Sequence, residues 1–156
     1  GFLLLESDRS IAVSKNKILA EVVGYANAND AYHQTASSPD GNGATLAIKE
    51  AIKVAGIEAK EISYVNVHGT GTKNNDLSES IALQNVFGEN IPPFSSTKSY
   101  TGHTLAASGG IEAVFGIMAM QKGCVYPNLN FSQKIEETGL IPQLKFALQI
   151  WMPMGM

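Results

Sequence analysis

Apolar and polar positions along the chain follow two different periods, and the changes between them mark out the elements. The opening GFLLLE and the run KILAEVVGYA at 17–26 are short and apolar, the second rich in β-branched and aromatic residues, and both predict strands. NANDAYHQTASSPDGNG carries turn formers throughout and predicts a long polar loop. GATLAIKEAIKVAG then changes to helical spacing. Ala44, Ile48, Ala51, Ile52 and Ala55 share one face, Lys49, Glu50 and Lys53 the other, and Gly56 fits a left-handed stop. ISYVNV predicts a strand running into His68, NNDLSESIALQNVFG a helix ending at Gly88, and PFSSTKS a short strand. LAASGGIEAVFGIMAM, 105–120, is apolar on every side and predicts a buried helix of the kind that lies between sheets. CVYP follows as a strand and NLNFSQKIEETGLIP as a loop, with no internal repeat or heptad. Strands alternating with helices predict an α/β fold: a mixed sheet, a buried apolar helix and covering helices.

Composition narrows the class without naming a chemistry. At 156 residues the chain can bury a core without covalent staples. A net charge of -3 and the lack of any Lys/Arg cluster argue against a nucleic-acid surface. The one cysteine, Cys124, rules out an internal disulfide and fits a reducing, cytoplasmic location. The start reaches Glu6 without a basic segment, so no secretory signal is expected. The apolar 105–120 stretch is shorter than the roughly 20 residues of a bilayer span and carries Glu112, so no membrane span is expected.

Four polar features stand out from this background. His68, at the end of a strand in HGTGT, is flanked by glycines that open unusual backbone geometry and by Thr70 and Thr72, whose hydroxyls can hold an amide-bearing substrate. Taken alone it reads more simply as a turn histidine bonded to backbone. In SSTKSYTGHT, Lys98 lies five residues before His103 in a Ser/Thr/Gly-rich loop leading to a helix N-terminus, a setting that favours anions. A surface lysine is the ordinary alternative.

Glu112 is the only charge between His103 and Lys122 and must pair, protonate or face a wet cavity. Nine residues at about 100° each would set it opposite His103 on one helix, so Lys98 is its expected partner. Asp76 and Glu79 stand near a helix start, where acids suit the macrodipole. Glu79, however, shares its face with Ala82, Leu83 and Val86, which suggests a buried salt bridge or a lock on a catalytic loop. Cys124, after a helix and with no histidine near it in sequence, reads as a small buried residue.

VNVHGTGTKNNDLSES followed by SSTKSYTGHTLAASGGIEAVF resembles the second half of a β-ketoacyl-acyl-carrier-protein synthase, and AEVVGYANANDAYHQTASSPDGNG resembles that family upstream of the first histidine. The resemblance covers about residues 1–142, read as the C-terminal half of such an enzyme; 143–156 is a divergent tail without assignment. It implies the thiolase-like fold and an acyltransferase of fatty acid or polyketide synthesis. The implied reaction is decarboxylative Claisen condensation of an acyl thioester with malonyl-acyl-carrier-protein. His68 and His103 match the family's two catalytic histidines, Lys98 its active-site lysine, Glu112 the acid near it and Asp76 the acid after the first motif. Thr70 and Thr72 match threonines that contact the phosphopantetheine arm of the carrier, with no tightly bound cofactor and no metal implied. Where the family usually reads Gly-His-x-x-Gly-Ala-Ala-Gly, Ala106 stands for a glycine and Ser108 for an alanine.

The family's nucleophilic cysteine lies in the first half, so this chain by itself is expected to be inactive. The expected partners are acyl carrier protein and either the missing N-terminal half or a ketosynthase subunit, in a homo-oligomer. Three other readings stand beside this one: a non-catalytic ketosynthase-like partner subunit, a metal site drawn from His68, His103, Asp76 and Glu112, and an expressed fragment with exposed apolar surface where the first half should pack.

Overall fold

The computed structural model describes residues 2–148. A short first helix, α1 (Asp8–Ser14), is capped by Ser7, whose hydroxyl accepts from Ser10 N–H. No strand is assigned before residue 65 among the described residues, although GFLLLE and KILAEVVGYA were expected to form two. A strand is held by hydrogen bonds to a neighbour, and neither segment meets one in this chain. Leu3, Leu4, Leu5, Val22 and Tyr25 stand exposed instead. Residues 17–26 still run against α2 (Asn42–Ala55), for a Cβ on Gly24 would lie 2.3 Å from the carbonyl of Ala51.

The three long helices lie where the periodicity placed them. α2 stops at Gly56 in the left-handed conformation, and α3 (Lys73–Phe87) ends before Gly88. Gly41 opens α2 at φ 66°, with no room for a side chain: a Cβ there would come within 2.4 Å of the Ser78 carbonyl on α3. This close approach holds α2 against α3. Between them a 3-10 turn (Ala59–Glu61) leads into β1 (Val65–Asn66). β1 pairs in parallel with β2 (Phe94–Ser95), matching Val65 to Phe94 and Asn66 to Ser95. Val67, Leu83 and Phe87 form the core where this pair meets α3, flanked by Ile48 and Ile52 of α2.

Beyond β2, the one-turn helix α4 (Lys98–Thr101) and a 3-10 turn (Leu105–Ala107) lead into α5 (Ser108–Lys122). β3 (Cys124–Val125) pairs antiparallel with β4 (Ala147–Leu148). Parallel and antiparallel pairing therefore both occur, in two separate strand pairs. α5 is as long and apolar as expected, yet only Ser108 and Ala119 of its residues are buried. The tail set apart from residue 143 enters the fold: Gln143 N–H donates to Phe94 O, and Asn128 N–H to Gln143 O. Residues 149–156 of that tail lie outside the described ones.

Candidate active site

The two histidines are thirty-five positions apart in the chain, and the fold brings them together. His68 follows β1 and His103 follows α4, and the ring centroids stand 5.1 Å apart with the planes at 87°. Parallel pairing of β1 with β2 sets this convergence, because it places the C-terminal ends of both strands side by side. Gly69, at φ 44°, lets the two loops touch: a Cβ there would lie 2.6 Å from Ser96 Cβ. Ser96 Oγ in turn donates to His68 O at 3.2 Å and accepts from Lys98 N–H.

Glu79 acts as the loop lock. Its carboxylate accepts from His68 N–H at 2.7 Å and from Gly69 N–H at 2.9 Å, from the second turn of α3. Burial raises its pKa above the ordinary value, and the two amide donors oppose that shift. Asp76 accepts from Gly71 N–H at 3.3 Å and from the Asn75 side chain, so it braces the next turn of the same loop. Thr70 and Thr72 pair through their hydroxyls at 2.9 Å at the loop's outer side.

Lys98 is buried and its ammonium pairs with Glu112 Oε1, as the isolation of Glu112 on an apolar helix led us to expect. This ties α4 to α5. Asn66 lies beside it, its side-chain amide donating weakly to Glu112 O at 3.4 Å while its Oδ1 is buried without a partner among the described residues. Tyr64, Asn66, Glu112 and Gly116 line a hollow of about 350 Å³ here.

His68 is held below its usual pKa, first by partial desolvation and then by the positive fields of Lys98 and His103; Glu112 and Asp76 oppose them. These influences favour the neutral ring. His103 is oriented differently. Its Nδ1 accepts from Leu105 N–H at 3.1 Å, and a backbone N–H can only donate, so the neutral ring carries its proton on Nε2.

All eight anticipated residues thus belong to one region, and Cys124 does not: it is fully buried in β3. Sequence reasoning missed Ser96, Asn66, Ser108 and Asn128, whose Oδ1 accepts from Ser96 N–H at 3.0 Å. Small polar residues in loops carry no periodic signal, although Ser108 was visible as a hydroxyl at an apolar helix start. Among the described residues, no group of three or more His, Cys, Asp or Glu side chains is arranged to hold a metal. No helix among them is long and apolar enough to cross a membrane.

The chain matches the family described as beta-ketoacyl synthase, C-terminal domain, over residues 19–132. It is 45% identical over 132 residues to 3-oxoacyl-[acyl-carrier-protein] synthase 2 of Staphylococcus aureus (strain COL), covering 83% of this chain and 32% of that protein. One chain of a solved complex, described as a type II PKS acyl-carrier protein in complex with its ketosynthase bound to the hexaketide, is similar with a TM-score of 0.86 and 34% identity, over 92% of this chain and 36% of that one. A solved ketosynthase/chain length factor of ishigamide is similar with a TM-score of 0.84 and 33% identity, over 92% and 36% of the two chains. The chain spans about a third of the length of the curated relatives it matches.

Proposed function

The chain belongs to the β-ketoacyl synthase family, as its C-terminal domain, and from that premise we propose that it supplies the decarboxylating half-site of a condensing enzyme of fatty acid or polyketide synthesis. Loss of carbon dioxide from a malonyl thioester leaves an enolate, whose oxygen needs donors already in place. His68 and His103 are those donors. The observation that carries the reading is the meeting of the two rings at 5.1 Å, one kept neutral by its surroundings and the other with its proton on Nε2. Thr70 and Thr72 hold the phosphopantetheine arm that brings the malonyl group, so acyl carrier protein is the partner. Lys98 and Glu112 set the electrostatics around the rings, and Glu79 and Asp76 hold the loop bearing His68.

The enolate carbon then attacks the carbonyl of an acyl thioester on a cysteine of the complementary half, forming the new C–C bond as the C–S bond breaks and the cysteine leaves as thiolate. Cys124 is at 0% exposure and cannot take that role. The isolated chain is therefore inactive, and it acts once joined to that half or to a ketosynthase partner, in a cytoplasmic homo-oligomer. Retention of both rings and of the Lys98–Glu112 pair speaks against a purely non-catalytic partner subunit. In the complete enzyme, His68→Ala and His103→Ala should each slow decarboxylation of malonyl-acyl-carrier-protein by about 10²–10³-fold. Undiminished carbon dioxide release from either variant would remove the proposal. Incubated with an acyl-carrier-protein thioester, the isolated chain should show no acyl adduct on Cys124 by mass spectrometry.

A further inference from the structure

Ser108 opens α5 with a hydroxyl among small and apolar neighbours, and it is one of only two buried residues of that helix. A buried hydroxyl needs partners. Two lie within reach: Thr104 Oγ1 at 3.3 Å and His103 Nδ1 at 3.2 Å. That ring nitrogen already accepts from the N–H of Leu105, a leucine held at φ 53° in the left-handed region. Because Nδ1 presents a lone pair to the Leu105 amide, the Ser108 hydroxyl can satisfy the same atom only by donating to it, which leaves its own lone pairs for the Thr104 hydroxyl. Alanine, usual at this place in the family's motif, offers no such proton.

We propose that Ser108 is a positioning residue of this site: its buried hydroxyl donates to His103 Nδ1 and, with the Leu105 amide, holds the ring in the Nε2–H tautomer that presents a donor beside His68. The role of that donor rests on the reading of His103 given above, whereas the tautomer itself can be measured independently of it. Ring-nitrogen NMR of the full chain with isotope-labelled histidine, at a pH where the ring is neutral, tests the hydrogen bond. His103 should show Nδ1 bare and Nε2 protonated. Ser108→Ala should raise the Nδ1–H fraction several-fold, Ser108→Thr should return it to the starting level, and the His33 signals should not move.

A wild-type ring protonated on Nδ1 would overturn the proposal without any variant being needed. So would an alanine variant whose His103 nitrogens are unchanged. In the complete enzyme, Ser108→Ala should lower kcat for decarboxylation about tenfold at constant KM, with rescue by Ser108→Thr. A tautomer shift with unaltered kcat upholds the hydrogen bond and instead counts against His103 as the oxyanion donor.

Discussion

At His68 several influences act on one ring, and substitutions separate them. Lys98 depresses its pKa and Glu112 raises it. Titrated by NMR, His68 should have its midpoint below 6.5; Lys98→Met should move it up and Glu112→Gln down. Movement in the opposite sense would mean that the pair does not set the field at the ring. The linkage sign follows from the depression: as pH falls, the unfolded chain takes this proton first. The contribution of His68 to stability is thus complete above its ordinary pKa and declines as pH drops from there to the folded value. Glu79 behaves differently, because its raised pKa makes its contribution complete below 4.5 and lost as pH rises through the folded pKa. At this scale the residue types were readable in sequence, since a charge inside an apolar helix or on an apolar helical face is conspicuous at Glu112 and Glu79. The proton position on His103 was not readable, because it depends on a backbone amide turned toward the ring by Leu105.

Between elements, two polar ties hold the site together, and each can be cut. Glu79→Ala removes the acceptor of two loop amides while leaving α3 a good helix former in place of the acid. Hydrogen exchange at His68 and Gly69 should accelerate markedly, with the α2 amides little changed; equal rates before and after would show that the lock is not needed. Lys98→Ala leaves a carboxylate in α5 without its cation, and breaking such a buried pair costs about 3 kcal/mol or more. Adding Glu112→Gln to Lys98→Met should recover part of the loss in urea unfolding, since the uncompensated charge is gone. Helices α2, α3 and α5 were legible because their hydrogen bonds are local and their stops, Gly56 and Gly88, are written beside them. The 17–26 run has the residues of a strand, but strand formation needs an edge supplied by other residues.

For the whole molecule, the distribution of apolar surface is the informative property. Phe2, Leu4, Leu5, Val13 and Val22 are each more than 70% exposed, far more apolar surface at one end than a solitary domain usually shows. The mainly apolar α5 exposes Met118 and Met120 as well. Purified alone, the chain should scatter light as a species larger than a monomer and bind an apolar dye, and both effects should diminish in the complete enzyme. A monodisperse monomer without dye binding would contradict this. The sequence pattern predicts a buried helix, but an apolar composition cannot say what covers it, and only Ser108 and Ala119 of α5 are buried here.

From its own order of residues this protein is determined in its long helices, in the HGTGT and STKSYTGH motifs, and in the kinds of chemical group it can present. Those depend on interactions within a few positions of one another. Only the tertiary structure decided that two imidazoles thirty-five positions apart meet, and that Ser96 bridges the loops that carry them. Both follow from the parallel pairing of β1 with β2, a contact between distant parts of the chain that no local pattern specifies.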